Sequence, residues 1–364
     1  MAAKRTIALD RSRSLQDARD GGHTRWHPAI PPLARIEPGE VVRMDARDGG
    51  DGQIGRDTTT AEVAAYDLDR LHPLTGPFHV EGVEPGDLLE VEILAVEPPD
   101  FAWSKLTPGG GGLMRDSVHV ALLVKWRLED GVARSDDLPG VAIPAAPFIG
   151  TIGVAPSPER LAAIAARERA LSDAGGWALH PSAKNALPDD SRIHAEGIRT
   201  LPPREFGGNL DLTDIAAGAR VSFVAQVPGA LLSIGDLHFA QGDGESYGTA
   251  IEMAGTVEFR CEVRTAASVS WTPRMPFIET PTHAITIGTS VGDADENAYE
   301  DLNLATRNAL DEMVRHLVGA RGFTEAQAQV IVSIAGDLRI NVVNNPPNPV
   351  VSVALPFAIF DDGD

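Results

Sequence analysis

The chain has 364 residues, 43% of them hydrophobic, and 31 Lys and Arg against 52 Asp and Glu give a formal net charge of −21. That length holds one large domain or two ordinary ones, and the acidic surplus repels phosphate backbones, which excludes electrostatically driven nucleic-acid binding by the chain as a whole. With 36 Gly and 27 Pro the chain favours many turns and short elements over a helical bundle, and neither disorder nor a coiled coil fits it as a whole.

Residues 1–22 read as a polar leader. From Met1 to Arg13 it carries Lys4, Arg5, Arg11 and Arg13 and lacks the apolar stretch of a signal peptide. No later apolar run reaches the ~20 residues of a membrane helix. The expectation is a cytoplasmic protein without a membrane or nucleic-acid partner.

Residues 23–156 form a β-rich part that repeats one grammar, a β-branched run followed by a Pro-Gly or Gly-Asp turn. Pro85-Gly86-Asp87 leads into Leu88-Leu89-Glu90-Val91-Glu92-Ile93, where Leu89, Val91 and Ile93 alternate with Glu90 and Glu92. This is the period-2 pattern of a strand with one wet face, and the Pro-Gly turns suit the dihedrals of a tight reversal. Closely spaced short strands predict a β-sandwich or jelly-roll-like core. Gly109-Gly110-Gly111-Gly112 lacks the Lys-Ser/Thr of a phosphate-binding loop and reads as a flexible or substrate-covering segment.

Residues 157–206 read as a helix over Ser157 to Ala174 followed by a Gly- and Pro-rich insertion. Residues 207–364 are a second β-rich part with strands at Val221–Val224, Ala230–Ile234 and Thr249–Val263. The spacing of Leu302, Ala305, Leu310, Met313 and Leu317 predicts a helix over 297–318. A second begins after Thr324, an N-cap three residues before Gln327 as a capping box requires. Val350–Leu355 closes the chain as a strand, and the class is α+β, mainly β, with a C-terminal helical pair.

The chemistry concentrates in Gly235–Glu245, which holds His238, Gln241 and the carboxylates Asp236, Asp243 and Glu245. Asp236 and His238 are two apart, so an extended segment turns both to one side, where they could share a metal ion. The glycines permit backbone shapes that aim Asp243 and Glu245 inward. A solvated turn explains Gly242-Asp243-Gly244 equally well but leaves His238 and Gln241 without a reason. Gly207-Gly208-Asn209-Leu210-Asp211 puts Asn209 and Asp211 on one side of an extended segment, as a ligand clamp or an Asx turn. Glu252, with Ala250 and Ala254 two positions either side, needs a partner if it is buried. Cys261 is the only cysteine, which leaves no intramolecular disulfide and no Cys-rich zinc cluster; any metal must take His and carboxylate ligands. No His or helix start lies near Cys261 to activate it, so it reads as a buried structural thiol.

These segments together resemble the acetamidase/formamidase family of amide hydrolases. The likeness rests on Arg25-Trp26-His27-Pro28, Gly52-Gln53-Ile54, His72-Pro73-Leu74-Thr75-Gly76-Pro77, Pro85-Gly86-Asp87-Leu88-Leu89 and Gly150-Thr151-Ile152-Gly153-Val154-Ala155-Pro156. It continues through the segments around Asn209, His238 and Gly248-Thr249-Ala250-Ile251-Glu252, from about His23 to Phe360. The resemblance implies hydrolysis of a short amide to carboxylate and ammonia, a homo-oligomer of dimer size or larger, and a divalent metal, zinc by preference. It implies His72, Asp211, Asp236 and His238 as metal ligands, Glu252 or Glu245 as the proton-transferring carboxylate, and Asn209 as a support for the oxyanion. The motifs mix the acetamidase and formamidase branches, which leaves formamide, acetamide and a bulkier amide or carbamate open. Two other classes stand beside this reading. A non-catalytic metal- or carbohydrate-binding β-sandwich would expose an aromatic platform, which a chain only 5% aromatic does not suggest; thiol catalysis through Cys261 would ignore chelators.

Overall fold

Alternating burial along the strands builds two large sheets in the computed structural model, which describes residues 4–110 and 112–361. In Leu88–Glu97 the side chains of Leu89, Val91 and Ile93 are sealed from solvent, and in Val41–Ala46 the same holds for Val42, Met44 and Ala46. A nine-stranded sheet runs in the order Lys4–Ile7, Val41–Ala46, Gly255–Arg264, Leu88–Glu97, Arg220–Val224, Phe277–Glu279, His283–Gly288, Val350–Pro356, Asp337–Val342. A twelve-stranded sheet has Leu232–His238 near its centre, flanked by Glu252–Met253, Phe148–Gly153 and Leu74–Val80. Both sheets take strands from each of the β-rich parts. Their apolar residues share one core in which Phe78 of one sheet meets Phe259 of the other edge-to-face, with centroids 5.6 Å apart.

The C-terminal helices form as their caps direct. Thr324 and Gln327 make the reciprocal capping box that opens Glu325–Ala335. The longer helix, Leu302–Arg321, starts five residues later than the apolar spacing predicts, because the Asp301 carboxylate accepts from the backbone N–H groups of Asn303 and Leu304 and fixes the start there. Ala305, Ala309, Met313 and Leu317 press onto Val351, Val353 and Leu355 in a separate apolar cluster. No helix among the described residues is long and apolar enough to cross a membrane.

The 157–206 segment is more ordered than its Gly and Pro content suggests. After the helix Pro158–Asp173 it contains the helix Ser191–Glu196 and the short strands Ile198–Arg199 and Pro203–Arg204. Two buried arginines tie it down. The Arg25 guanidinium donates to the carbonyls of Ser182 (3.0 Å) and Lys184 (2.8 Å). Arg204, fully buried, forks onto Glu168, also fully buried, at 2.8 and 3.1 Å. A Glu168→Ala protein keeps a buried guanidinium with no counter-charge, so it is expected to lose about 3–5 kcal/mol of stability. Urea unfolding checks this, and a loss below about 1 kcal/mol would show that the pair is solvated on opening.

Candidate functional site

Register in the twelve-stranded sheet assembles the site. Strand pairing sets His238 directly opposite Glu252, and Thr151 opposite both Asn209 and Gly235. Three of the site's carboxylate residues hold a left-handed backbone, Asp211 at φ 44°, Asp236 at 56° and Glu245 at 40°. Non-glycine residues rarely adopt this conformation, and strain of this kind concentrates at functional sites. Two glycines make room for the result: a Cβ on Gly49 would lie 2.2 Å from Asp236 Oδ1, and one on Gly150 would lie 2.5 Å from Asp211 Oδ1.

The seven residues that the family resemblance implies for the site, His72, Asn209, Asp211, Asp236, His238, Glu245 and Glu252, line one cavity of about 300 Å³. Each is less than a tenth exposed. Asp211, Asp236 and His238 offer donor atoms that lie within 4.8 Å of one another. His72 stands beside this trio, its Nδ1 3.5 Å from Asp236 Oδ2, with its backbone pinned on both sides by the Thr200 hydroxyl. Glu252 Oε2 is 3.1 Å from His238 Nε2, and its other oxygen accepts from the Ala250 N–H at 3.1 Å.

Gln241 decides which face of His238 is presented. Its Nε2 donates to the Asp211 carbonyl, so its Oε1 is left to accept from His238 Nδ1 at 3.0 Å. That assignment puts the proton on Nδ1 and turns Nε2 toward the carboxylates, the arrangement by which proteins orient a ligating imidazole. Asn209 is fixed in the same manner: Thr151 donates to its Oδ1 at 2.6 Å, leaving Nδ2 as the donor available to a ligand.

The charges are unbalanced. Burial raises Asp211 to about 7, with Asp236 and Glu252 adding to the shift against His238. Burial would raise Asp236 as well, but His72 and His238 hold it down at about 2. Burial opposes charge on His238, yet Glu252 and Asp236 outweigh it and push the imidazole well above its ordinary range. Burial, reinforced by Asp211 and Glu252, drives Glu245 well above the carboxylate range. The cluster therefore calls for positive charge next to His238 Nε2. Asp211 Oδ1 is buried with no hydrogen-bond partner, an atom in a position to bind a cation. An oxygen- and nitrogen-rich donor set with one orphaned carboxylate oxygen fits a divalent ion.

Several participants escape a reading of the sequence. Thr151 bridges Asn209 and Asp236, its hydroxyl oxygen lying 2.6 Å from Asn209 Oδ1 and 3.2 Å from Asp236 Oδ2. Asn345 donates to Asp211 Oδ2 at 2.6 Å, and Asn344 to Glu245 Oε2 at 3.0 Å. The run Asn344-Asn345-Pro346-Pro347 was the available signal, a polar pair stiffened by prolines. Lys105 also lines the cavity, its ammonium 4.2 Å above the Tyr66 ring, with its pKa lowered by burial against the pull of Glu252 and Glu245. Asp243 departs from expectation: it turns outward to an ion pair with Arg339 at 2.9 Å, because Gly242 and Gly244 make a turn there. Of the glycine run, Gly109 and Gly110 border the cavity, while Gly111 lies outside the described residues. Cys261 sits in the core away from the cavity, and burial pushes its thiol far up.

Comparison with known proteins agrees with this geometry. The model of the acetamidase/formamidase family matches residues 8–362. An acetamidase of Mycolicibacterium smegmatis is 36% identical over 90% of this chain and 88% of its own length, and a formamidase of Methylophilus methylotrophus is 32% identical over 98% and 94%. Among solved structures, a gamma lactamase from Delftia acidovorans superposes with a TM-score of 0.73 at 34% identity, covering 99% of this chain and 94% of that one. The chain belongs to the acetamidase/formamidase family and is an amide-hydrolysing enzyme.

Proposed function

We propose that this enzyme hydrolyses the C–N bond of a short amide to a carboxylate and ammonia, and that a divalent ion, zinc by donor type, is held by Asp211, Asp236 and His238 with His72 beside them. The observation that carries the reading is the convergence of those three donor groups within 4.8 Å, with Glu252 3.1 Å from His238 Nε2, on the wall of one cavity. When bound, the ion supplies Lewis acidity, which acidifies water and polarises a carbonyl. The chain's own residues handle the protons. Glu252 takes one from the attacking water as its oxygen bonds to the carbonyl carbon. Asn209 Nδ2 donates to the oxyanion that develops. Glu245, whose carboxyl burial pushes well above the carboxylate range, delivers a proton to the nitrogen as the C–N bond breaks, so that ammonia and not amide anion departs. The family likeness supports a homo-oligomer, and the single, buried cysteine is in keeping with a reducing cytoplasm.

Metal content measured together with ammonia release from formamide, acetamide and propionamide tests the reading. Chelation is expected to remove both the ion and the activity, and zinc return to restore them. Full activity in metal-free protein would discard the ligand set and keep the amidase. Thiol catalysis makes the opposite forecast. With Cys261 sealed in the core and its thiol pushed up by burial, iodoacetamide is expected to leave the native enzyme fully active, and Cys261→Ala to retain kcat within about twofold. Inactivation by alkylation would reverse that assignment.

A further inference from the structure

The cavity is larger than the smallest substrates need, and much of its wall is of the wrong chemistry for them. Its volume is about 300 Å³. Taking the ~30 Å³ per non-hydrogen atom that liquid water occupies, formamide and acetamide fill on the order of 100 Å³. The polar cluster described above makes one portion of the wall; Val63, Leu71, Trp177, Leu179 and Leu201 make another. An apolar wall gains nothing from the hydrogen of formamide and little from the methyl of acetamide.

Three of those five residues come from the 157–206 segment, and the segment is built to hold them. Trp177 stands between the helix Pro158–Asp173 and the helix Ser191–Glu196, 36% exposed, an indole with much of its apolar surface uncovered. The chain on either side of it is anchored. Ala178 is buried next to it, and the Ser182 and Lys184 carbonyls are gripped by the buried Arg25. Leu201 follows Thr200, whose hydroxyl pins the backbone of His72, so this part of the apolar wall is tied directly to the polar cluster. A large aromatic side chain on an anchored loop, bordering a cavity that already contains the reacting groups, is suited to receive a substrate's apolar portion.

We infer that Trp177, Leu179 and Leu201 form an acyl subsite, and that the enzyme prefers amides whose acyl group is apolar and larger than methyl. This rests on the amide-hydrolase reading and adds the substrate class to it. Trp177 and Leu201 set specificity and take no part in proton transfer. Each methylene that covers the wall is expected to raise kcat/KM about fourfold, until the cavity is full.

The test is kcat/KM for formamide, acetamide, propionamide, butyramide and hexanamide, with the wild-type enzyme and with Trp177→Ala. The expected result is a series that rises with chain length, and a hexanamide-to-acetamide ratio that falls about tenfold or more in the variant. Leu201→Ala, which trims the same wall from another element, gives a second reading of that ratio if Trp177→Ala fails to fold. A wild-type series that falls from formamide onward overturns the subsite and leaves the amidase standing. An equal loss on both substrates, with the ratio unchanged, makes Trp177 merely structural and overturns the subsite as well. No ammonia from any amide overturns the amide reading and this inference with it.

Discussion

A His238→Ala enzyme is expected to lose about 10⁴-fold or more in kcat/KM for amide hydrolysis and, on the proposed ligand set, to purify without a bound divalent ion. His238 is the point on which the site's charges converge. Its Nε2 lies 3.1 Å from Glu252 and 3.6 Å from Asp236, and its Nδ1 is held by Gln241. Without the ring, Asp211, Asp236 and Glu252 face one another across a buried space with no imidazole between them. The carboxylates would then take up protons or move apart, and the vacated volume beside Phe148, now 5.0 Å from the ring centroid, would relax. Metal analysis and ammonia release are the primary readouts, with circular dichroism to show that the sheets persist. An active, metal-loaded His238→Ala protein would sink the ligand assignment outright.

The second large effect belongs to Glu252. Glu252→Gln keeps the shape of the side chain and the means to accept from the Ala250 N–H, but it has no basic oxygen. Its kcat is expected to fall by about 10²–10⁴-fold, the usual worth of a positioned general base, with metal content retained and KM little changed. That split separates it from His238→Ala, where metal is lost too. A companion Glu245→Gln enzyme distinguishes the two carboxylates. If Glu245 gives its proton to the departing nitrogen, its loss is expected to matter much less for an anilide, whose leaving group needs less protonation, than for an alkyl amide. A Glu252→Gln enzyme with kcat within tenfold of wild type would move the base elsewhere in the cavity, Glu245 first.

Local chemistry made much of the fold legible. The alternation of Leu89, Val91 and Ile93 with Glu residues is a property of a single strand, and the capping box of Thr324 and Gln327 spans one helical turn; neither needs distant contacts to be recognised. The start of Leu302–Arg321 was less legible, since apolar spacing says where a helix packs and only the Asp301 cap says where it begins. At the site, residue types and spacing picked out Asp236, His238, Asn209, Asp211 and Glu252. His72 came only with the family likeness, for a histidine in a loop carries no local signal of a partner. Thr151 carried none either, and Asn344 and Asn345 only a polar pair beside prolines: what all three do depends on atoms contributed by other segments.

By itself, then, the sequence determined most of the elements, the class of the fold and the family, and it offered the candidate site residues, because these depend on periodicity, turn chemistry and short motifs. Only the tertiary structure decided their arrangement. His72 and Asp211 are 139 positions apart, and pairing across the sheet brings both onto one cavity beside Asp236. It turned Glu245 inward and Asp243 out to Arg339, though both sit in one glycine-rich turn. It also placed Trp177 and Leu201, from a segment that reads as an insertion, against the polar cluster. Distance, burial and charge balance are properties of the packed molecule, and the reactivity of each carboxylate follows from them.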